Sequence, residues 1–180
     1  MYGPVIQGSQ FRLRPPKAED AEVMIAWFED LEVTARLRLR FPPSLEQERE
    51  WLRKTADDQA SIVWVIEHDG RAVGSTGIHL VDWANQHGTT GTLIGDKAVW
   101  GRGIARELMR LRADFAFDEL PLRKLKSGYL EGNEASRRAQ EGAGYREVGR
   151  LRQEIFRDGR WIDMILTELL RDDWARSRGG

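Results

Sequence analysis

Apolar and polar positions alternate at two different periods along this chain, and the period changes mark its elements. Phe11 to Arg14 alternates at period two and is closed by Pro15-Pro16, which predicts a short strand. Over 17–28, Ala21, Met24, Ile25 and Phe28 recur at helical spacing. A second short helix is predicted over 31–39. Ser44 and Gln47 have the spacing of a capping box and start a helix running to about Thr55. The run 61–67 is rich in β-branched residues, and Asp69-Gly70 signals a hairpin turn into a partner strand over 71–81. A further strand over 89–95 feeds a glycine-containing loop. Ile104, Leu108, Leu111 and Phe115 then set out the packing stripe of the next helix. A strand over 122–130, a helix opened by Asn133 and a hairpin across Asp158-Gly159 complete the order. Strands mixed with helices in this order predict an α/β fold with helices on both faces of a sheet. No internal repeat, linker or second domain interrupts the pattern.

The loop between the strand over 89–95 and its helix is Trp100-Gly101-Arg102-Gly103-Ile104-Ala105. Its glycines and small alanine let the backbone approach a ligand, and the helix behind it directs N–H groups and a positive dipole end there. That combination suits a pyrophosphate. A P-loop requires Lys and then Ser or Thr after its last glycine, whereas Ile104 and Ala105 follow Gly103. A dinucleotide fingerprint requires a third glycine where Arg106 stands, and the acids Asp118 and Glu119 end a helix, not a strand. The loop resembles the acyl-coenzyme A loop of the GNAT superfamily, Gln/Arg-x-x-Gly-x-Gly/Ala. Gly103 and Ala105 stand in register, and Trp100 stands at the first position, as in the RimJ/RimL-type branch.

Other motifs carry the same resemblance. Asn133-Glu-Ala-Ser136, then Gly144-Tyr145 and Gly149, resemble the branch's Asn-x-x-Ser, Gly-Phe/Tyr, Gly series. Asp158 to Asp163 resembles its C-terminal hairpin, with Asp173-Trp174 near its end. Phe11-Arg-Leu-Arg-Pro15, Glu19-Asp20, Trp27 and Asp30 resemble its opening strand and helix. The resemblance covers roughly residues 10–174. It implies the GNAT fold: a mixed, mostly antiparallel central sheet, splayed at its middle between the strands over 89–95 and 122–130, with helices on both faces. One domain over 1–180 is expected, with flexible ends at 1–9 and 176–180. The implied donor is acetyl-CoA, in a cleft opened by the splay, with no metal. The positions expected to hold it are Ile94, Gly95, Asp96, Trp100, Gly101, Arg102, Gly103, Ile104, Ala105, Arg106, Asn133 and Ser136.

Composition narrows the context. Hydrophobic residues make up 41% and charged residues 32%, ordinary for a soluble globular protein. Without cysteine there is no disulfide, thiolate nucleophile or Cys-based zinc site. No apolar run has membrane-spanning length, and Met1 to Gln7 lacks a signal-peptide pattern, so a cytoplasmic protein without membrane partners is expected. The 28 basic and 29 acidic residues leave a net charge of -1, which argues against nucleic acid as a partner. The arginine-dense stretches at Arg36, Arg38, Arg40 and over 146–160 read as solvated faces. The sequence leaves a monomer and a homodimer open.

The resemblance implies transfer of an acetyl group to a primary amine of a small molecule or protein N-terminus by direct attack in a ternary complex. A backbone donor within Ile94-Gly95-Asp96 would stabilise the developing oxyanion. An alkyl amine has a pKa near ~10, so its proton must be removed. Where relatives place a carboxylate, this chain has Thr89, Thr90 and Gly91. The nearby candidates are His79, Asp82 and His87, with His79 or Asp82 first to be tested through a water relay. His79 and His87 do not make a metal pair, having no third ligand at a recognisable spacing. For the departing thiolate, relatives use a tyrosine seven residues after the helix-opening Asn. Here that position is Gln140, which is no acid, so Ser136 is the candidate donor. Trp27, Glu29, Asp30 and Asp163 are expected to border the acceptor, where aromatics and carboxylates suit a cationic amine. The other reading is a coenzyme A-binding module of the same fold without turnover.

Overall fold

A computed structural model describes residues 1–39 and 41–178; Arg40 of the arginine-dense stretch and the last two residues of the expected flexible end lie outside the described residues. Among the described residues the fold is α/β, with eight strands in a mostly antiparallel sheet that includes a parallel pair, and six α-helices. The chain packs as two compact units.

The first unit comprises Met1–Val81 and Thr90–Ile104. It holds β1 (Ile6–Gln7), β2 (Arg12–Arg14), α1 (Asp20–Glu29), α2 (Leu31–Thr34), α3 (Leu45–Asp57), β3 (Ile62–His68) and most of β4 (Arg71–Asp82). β1, β2, β3 and β4 pair in sequence, all antiparallel. Every residue of β3 is buried, which is why it reads as a nearly unbroken apolar run. Its hairpin to β4 turns on Asp69 and Gly70, at φ 49° and 74°, the two left-handed residues of a type I′ turn. Ser44 caps α3 in the predicted box: its hydroxyl accepts from the Gln47 N–H and the Gln47 amide oxygen accepts from the Ser44 N–H. Ala21, Met24, Trp27, Val33, Leu52, Val65 and Leu93 form one core cluster of this unit.

The second short helix is briefer than the pattern predicts. It ends at Thr34, whose β-branched side chain turns back to donate to the Asp30 carbonyl at 3.1 Å. Within the segment 1–9, the first three residues carry defined hydrogen bonds. The Met1 ammonium donates to the carbonyls of Thr55, Asp58 and Ser61 around the C-terminal end of α3, where a positive charge is favoured. The Tyr2 hydroxyl reaches the Leu52 carbonyl at 2.8 Å, and Gly3 N–H reaches Val63. Hydrogen bonding of this kind leaves no periodic signal, and β1, two residues long, carries no apolar stripe.

Two buried charge systems of this unit differ in kind. The Arg14 guanidinium forks onto Asp20, with both bonds at 2.8 Å, and also reaches Glu67 at 2.6 Å. Burial alone would raise the Asp20 carboxyl, but the Arg14 fork and the Lys17 N–H hold it below its ordinary range. Thus Arg14 and the Glu19-Asp20 motif are joined by structure. Glu48 of α3, by contrast, is 6% exposed and enters no ion pair among the described residues. Burial pushes its carboxyl up. Its folded pKa therefore exceeds its unfolded value, and the penalty is absent below the unfolded pKa and grows as pH rises past it. Glu48→Gln is expected to stabilise the protein at neutral pH by about 1 kcal/mol. Urea unfolding at about pH 7 should show the gain, and at about pH 4 it should vanish.

The second unit comprises Asp82–Thr89 and Ala105–Gly180. β5 (His87–Ile94) begins two residues earlier than expected, because His87, Gly88 and Thr89 pair in parallel with Lys124, Leu125 and Lys126 of β6 (Lys124–Leu130). The antiparallel ladder continues through β8 (Arg160–Leu170) to β7 (Arg146–Arg157). α4 (Ile104–Asp118), α5 (Glu134–Gly142) and α6 (Arg171–Arg178) complete the helices. The expected packing stripe of α4 is rotated. Ile104 and Leu108 are buried, but Leu111 and Phe115 are only half-buried, while Met109, Arg112, Ala113, Ala116 and Phe117 are buried instead. Arg112, 1% exposed, hides the true face from an apolar count. α6 covers part of the expected C-terminal loose end, with Arg176 to Arg178 helical. It carries Trp174, whose indole packs 5.2 Å from Phe117 and donates to Asp114 at 2.7 Å. Among the described residues, no helix is long and apolar enough to cross a membrane.

Candidate active site

In the first unit, the predicted loop is built from the end of β5 outward. Asp96 caps a 3-10 turn over Lys97–Val99, its carboxylate accepting from the Ala98 N–H at 2.9 Å. Val99 is buried and anchors the turn. Trp100 follows, and its indole N–H donates back to the Ile94 carbonyl at 3.0 Å. This bond gives Trp100 a physical role that its place in the motif could not show: it clamps the loop to β5. Gly101 and Gly103 have φ of 76° and 80°, with nothing within 4 Å of either missing Cβ. Their backbone is therefore open to solvent, and Ile104 starts the 15-residue α4 directly behind them. Trp100→Phe keeps the ring but loses the clamp. It is expected to weaken acetyl-CoA binding about tenfold, the scale of one lost hydrogen bond, with an unchanged melting temperature; calorimetry and thermal unfolding check both.

The trio Ile94-Gly95-Asp96 is more committed than the sequence suggested. The N–H groups of Gly95 and Asp96 both donate to the Val73 carbonyl, at 2.9 and 3.0 Å. Neither is free to serve as the expected oxyanion donor. Gly95 is a glycine for a packing reason: a Cβ there would stand 2.1 Å from the Trp27 ring. Trp27 in turn is 6% exposed and belongs to the core cluster. It shows only an edge to a surface groove of about 710 Å³ that Gly95, Asp96, Lys17, Arg71 and Lys97 also line. Arg14, Glu19 and Asp20 line it as well, so it carries charges of both signs.

His79 lies half-buried on β4. Its ring fills the space over Gly77 and Gly91, where a Cβ on Gly77 would come within 2.5 Å of the imidazole Nε2. The imidazole therefore reaches the stretch of β5 where relatives carry a carboxylate. Asp30 caps α2 through the Glu32 N–H at 2.9 Å and pairs with Lys97 at 2.8 Å. The Lys97 bond is the main reason its carboxyl is held low, and the expected free acceptor carboxylate at Asp30 is thus taken up. Glu29 is exposed and enters no ion pair among the described residues.

In the second unit, Asp82 is a turn residue. Its carboxylate accepts from both the backbone and side-chain amides of Asn85, at 2.8 and 2.7 Å, and stands 3.9 Å from His87. That hydrogen bonding holds its carboxyl low. Asp163 accepts from the Gln153 N–H at 2.8 Å and pairs with Arg150 at 3.1 Å, which commits it to the β7–β8 bulge. Arg106 lays its stem along Gly142, where a Cβ would meet it at 2.9 Å.

α5 begins as its sequence predicts. Asn133 is the N-cap, its side-chain oxygen accepting from the Ser136 N–H at 3.2 Å. Ser136 is half-buried, and its hydroxyl accepts from the Gln140 amide at 3.0 Å. Gln140 is 2% exposed, and its amide cannot act as an acid. Its i+4 spacing from Ser136 was the signal that it belongs to the same site.

The fold is thus a mixed α/β sheet with an exposed double-glycine loop opening a long helix. The model of the acetyltransferase (GNAT) domain matches residues 10–146, and the chain belongs to that family. It is an acetyl-CoA-dependent acetyltransferase. The uncharacterized N-acetyltransferase p20 of Bacillus licheniformis is 25% identical over 91% of this chain and 94% of its own length. The uncharacterized N-acetyltransferase YoaA of Bacillus subtilis is 27% identical over 93% of this chain and 97% of its own. Among solved structures, the spermidine N-acetyltransferase of Vibrio cholerae in complex with CoA and spermine has a TM-score of 0.86 at 21% identity. That match covers 93% of this chain and 99% of that one.

Proposed function

We propose that this chain transfers the acetyl group of acetyl-CoA to a cationic primary amine, in the manner of the RimJ/RimL-type branch, by direct attack in a ternary complex. The observation that carries this reading is the open loop at Gly101 and Gly103 in front of α4. It offers backbone N–H groups to a pyrophosphate without a side chain in the way. Asn133 would contact the pantetheine arm through its amide N–H groups, since its oxygen is already bonded to Ser136 N–H. In the reaction the neutral amine nitrogen bonds to the thioester carbon, the carbon–sulfur bond breaks, the amine gives up a proton and the sulfur takes one. His79, through water, is the base of this proposal, and Ser136 the hydrogen-bond donor to the leaving sulfur. The neighbouring spermidine enzyme and the exposed Glu29 support a cationic acceptor.

The test is the pH profile of acetylation over a panel of polyamines, aminoglycosides and ribosomal-protein N-terminal peptides. The parent's kcat/KM should level off above about pH 7, the ordinary imidazole range. His79→Ala should instead climb steadily toward the amine's own pKa, near ~10. Identical profiles would remove His79 as the base.

A further inference from the structure

The buried side of α5 carries an amide that the acetyltransferase mechanism does not yet use. Gln140 has three polar contacts, all within the second unit. Its Nε2 donates to the Gly128 carbonyl on β6 at 3.2 Å and to Ser136 Oγ at 3.0 Å. Its Oε1 accepts from the hydroxyl of Thr167 on β8. Thr167 is itself 5% exposed. A carbonyl can only accept, so Gly128 requires the NH2 end of the amide on its side, and the flipped orientation is excluded by chemistry. Both N–H groups of Gln140 are then used, one on Gly128 and one on Ser136. The direction of the second bond has a consequence for Ser136. A hydroxyl has one proton to give, and Gln140 does not receive it. No acceptor for it stands among the described residues.

We propose that Gln140, held by Thr167 and Gly128, is the positioning residue that keeps the Ser136 proton directed to the coenzyme's sulfur. The proposal rests on the acetyltransferase reading and deepens it. In place of a phenol that acts as an acid, this chain has a buried amide that forces a serine to be a donor. Burying an amide is costly unless every polar atom is satisfied, and here each is. A donor aimed at sulfur favours the thiolate over the thiol. It should therefore assist departure of the thiolate and also tighten binding of the thiolate form of the product.

That second effect gives a test without an acceptor amine. The full chain is titrated calorimetrically with free coenzyme A and with S-methyl coenzyme A, whose sulfur cannot ionise, from about pH 6.5 to about pH 9, spanning the ordinary thiol range. The parent should bind free coenzyme A about tenfold more tightly, relative to the thioether, at the upper end than at the lower. Ser136→Ala should abolish that rise. Gln140→Glu should abolish it as well, because the introduced carboxylate accepts the Ser136 proton and reverses the bond. Ser136→Ala combined with Gln140→Glu should match Ser136→Ala alone, which a merely structural loss would not. Thr167→Val adds no charge and should reduce the rise; it decides the matter if Gln140→Glu melts below the assay temperature. A rise absent from the parent, or unchanged in both Gln140→Glu and Thr167→Val, overturns the proposal while leaving the acetyltransferase reading intact. Failure of the parent to bind either coenzyme overturns that reading and the proposal together.

Discussion

Gly103→Val is expected to cost about 100-fold in acetyl-CoA affinity, or ~2.7 kcal/mol, while the protein stays folded. Gly103 sits at φ 80°, a left-handed conformation that a β-branched residue resists. Valine therefore pulls the loop away from the shape that presents its N–H groups. It also places two methyl groups where a pyrophosphate would approach the backbone. The fold has little to lose, since nothing lies within 4 Å of the missing Cβ. A stability loss of about 1–2 kcal/mol, the scale of one left-handed L-residue, is expected from urea unfolding. Unchanged affinity by calorimetry in the folded variant would remove the loop from the coenzyme site.

A large stability effect is expected at Gly95. Alanine there would set its Cβ 2.1 Å from Trp27, against a ring held in the core by Met24, Val33 and Leu52. No flexible side-chain end is available to swing aside, so the ring or the strand must move. A loss of about 3 kcal/mol or more is expected, at the upper end of overpacking costs. Combining Gly95→Ala with Trp27→Leu should recover part of it, because the clash is with the indole itself. Circular-dichroism unfolding of the two variants checks this. A Gly95→Ala protein as stable as the parent would show that Gly95 is a glycine for some other reason.

Elements whose signal is periodic were read well from the chain. α3 announced itself by Ser44 and Gln47, both hairpins by Asp-Gly, and α5 by Asn133 at its cap. β1 and α6 carry no apolar stripe: β1 is two residues long and held by pairing with Leu13 and Arg12, and α6 is held by the packing of Trp174. The face of α4 was misplaced because a buried Arg112 counts as polar. At the site, the glycine loop was legible because backbone conformation demands particular residues. The carboxylates were not, because a carboxylate in sequence carries no mark of its partner. Asp30, Asp82 and Asp163 all proved to be committed to caps, turns and ion pairs. His79 became distinguishable only once Gly77 and Gly91 were seen to make room for its ring. Gln140 was passed over because its effect runs through Ser136 and not through chemistry of its own.

The central claim is that this chain moves an acetyl group from coenzyme A to an amine. The most direct test incubates the protein with acetyl-CoA and each amine of the panel, and measures released thiol and acetylated amine by mass in the same sample. The account predicts at least one cationic primary amine for which the two appear in equal amounts, and about 100-fold less of both with Gly103→Val at limiting coenzyme. Acetylation of an alcohol or hydrazide with no amine acetylated, or coenzyme bound with no thiol released for any amine, would contradict it.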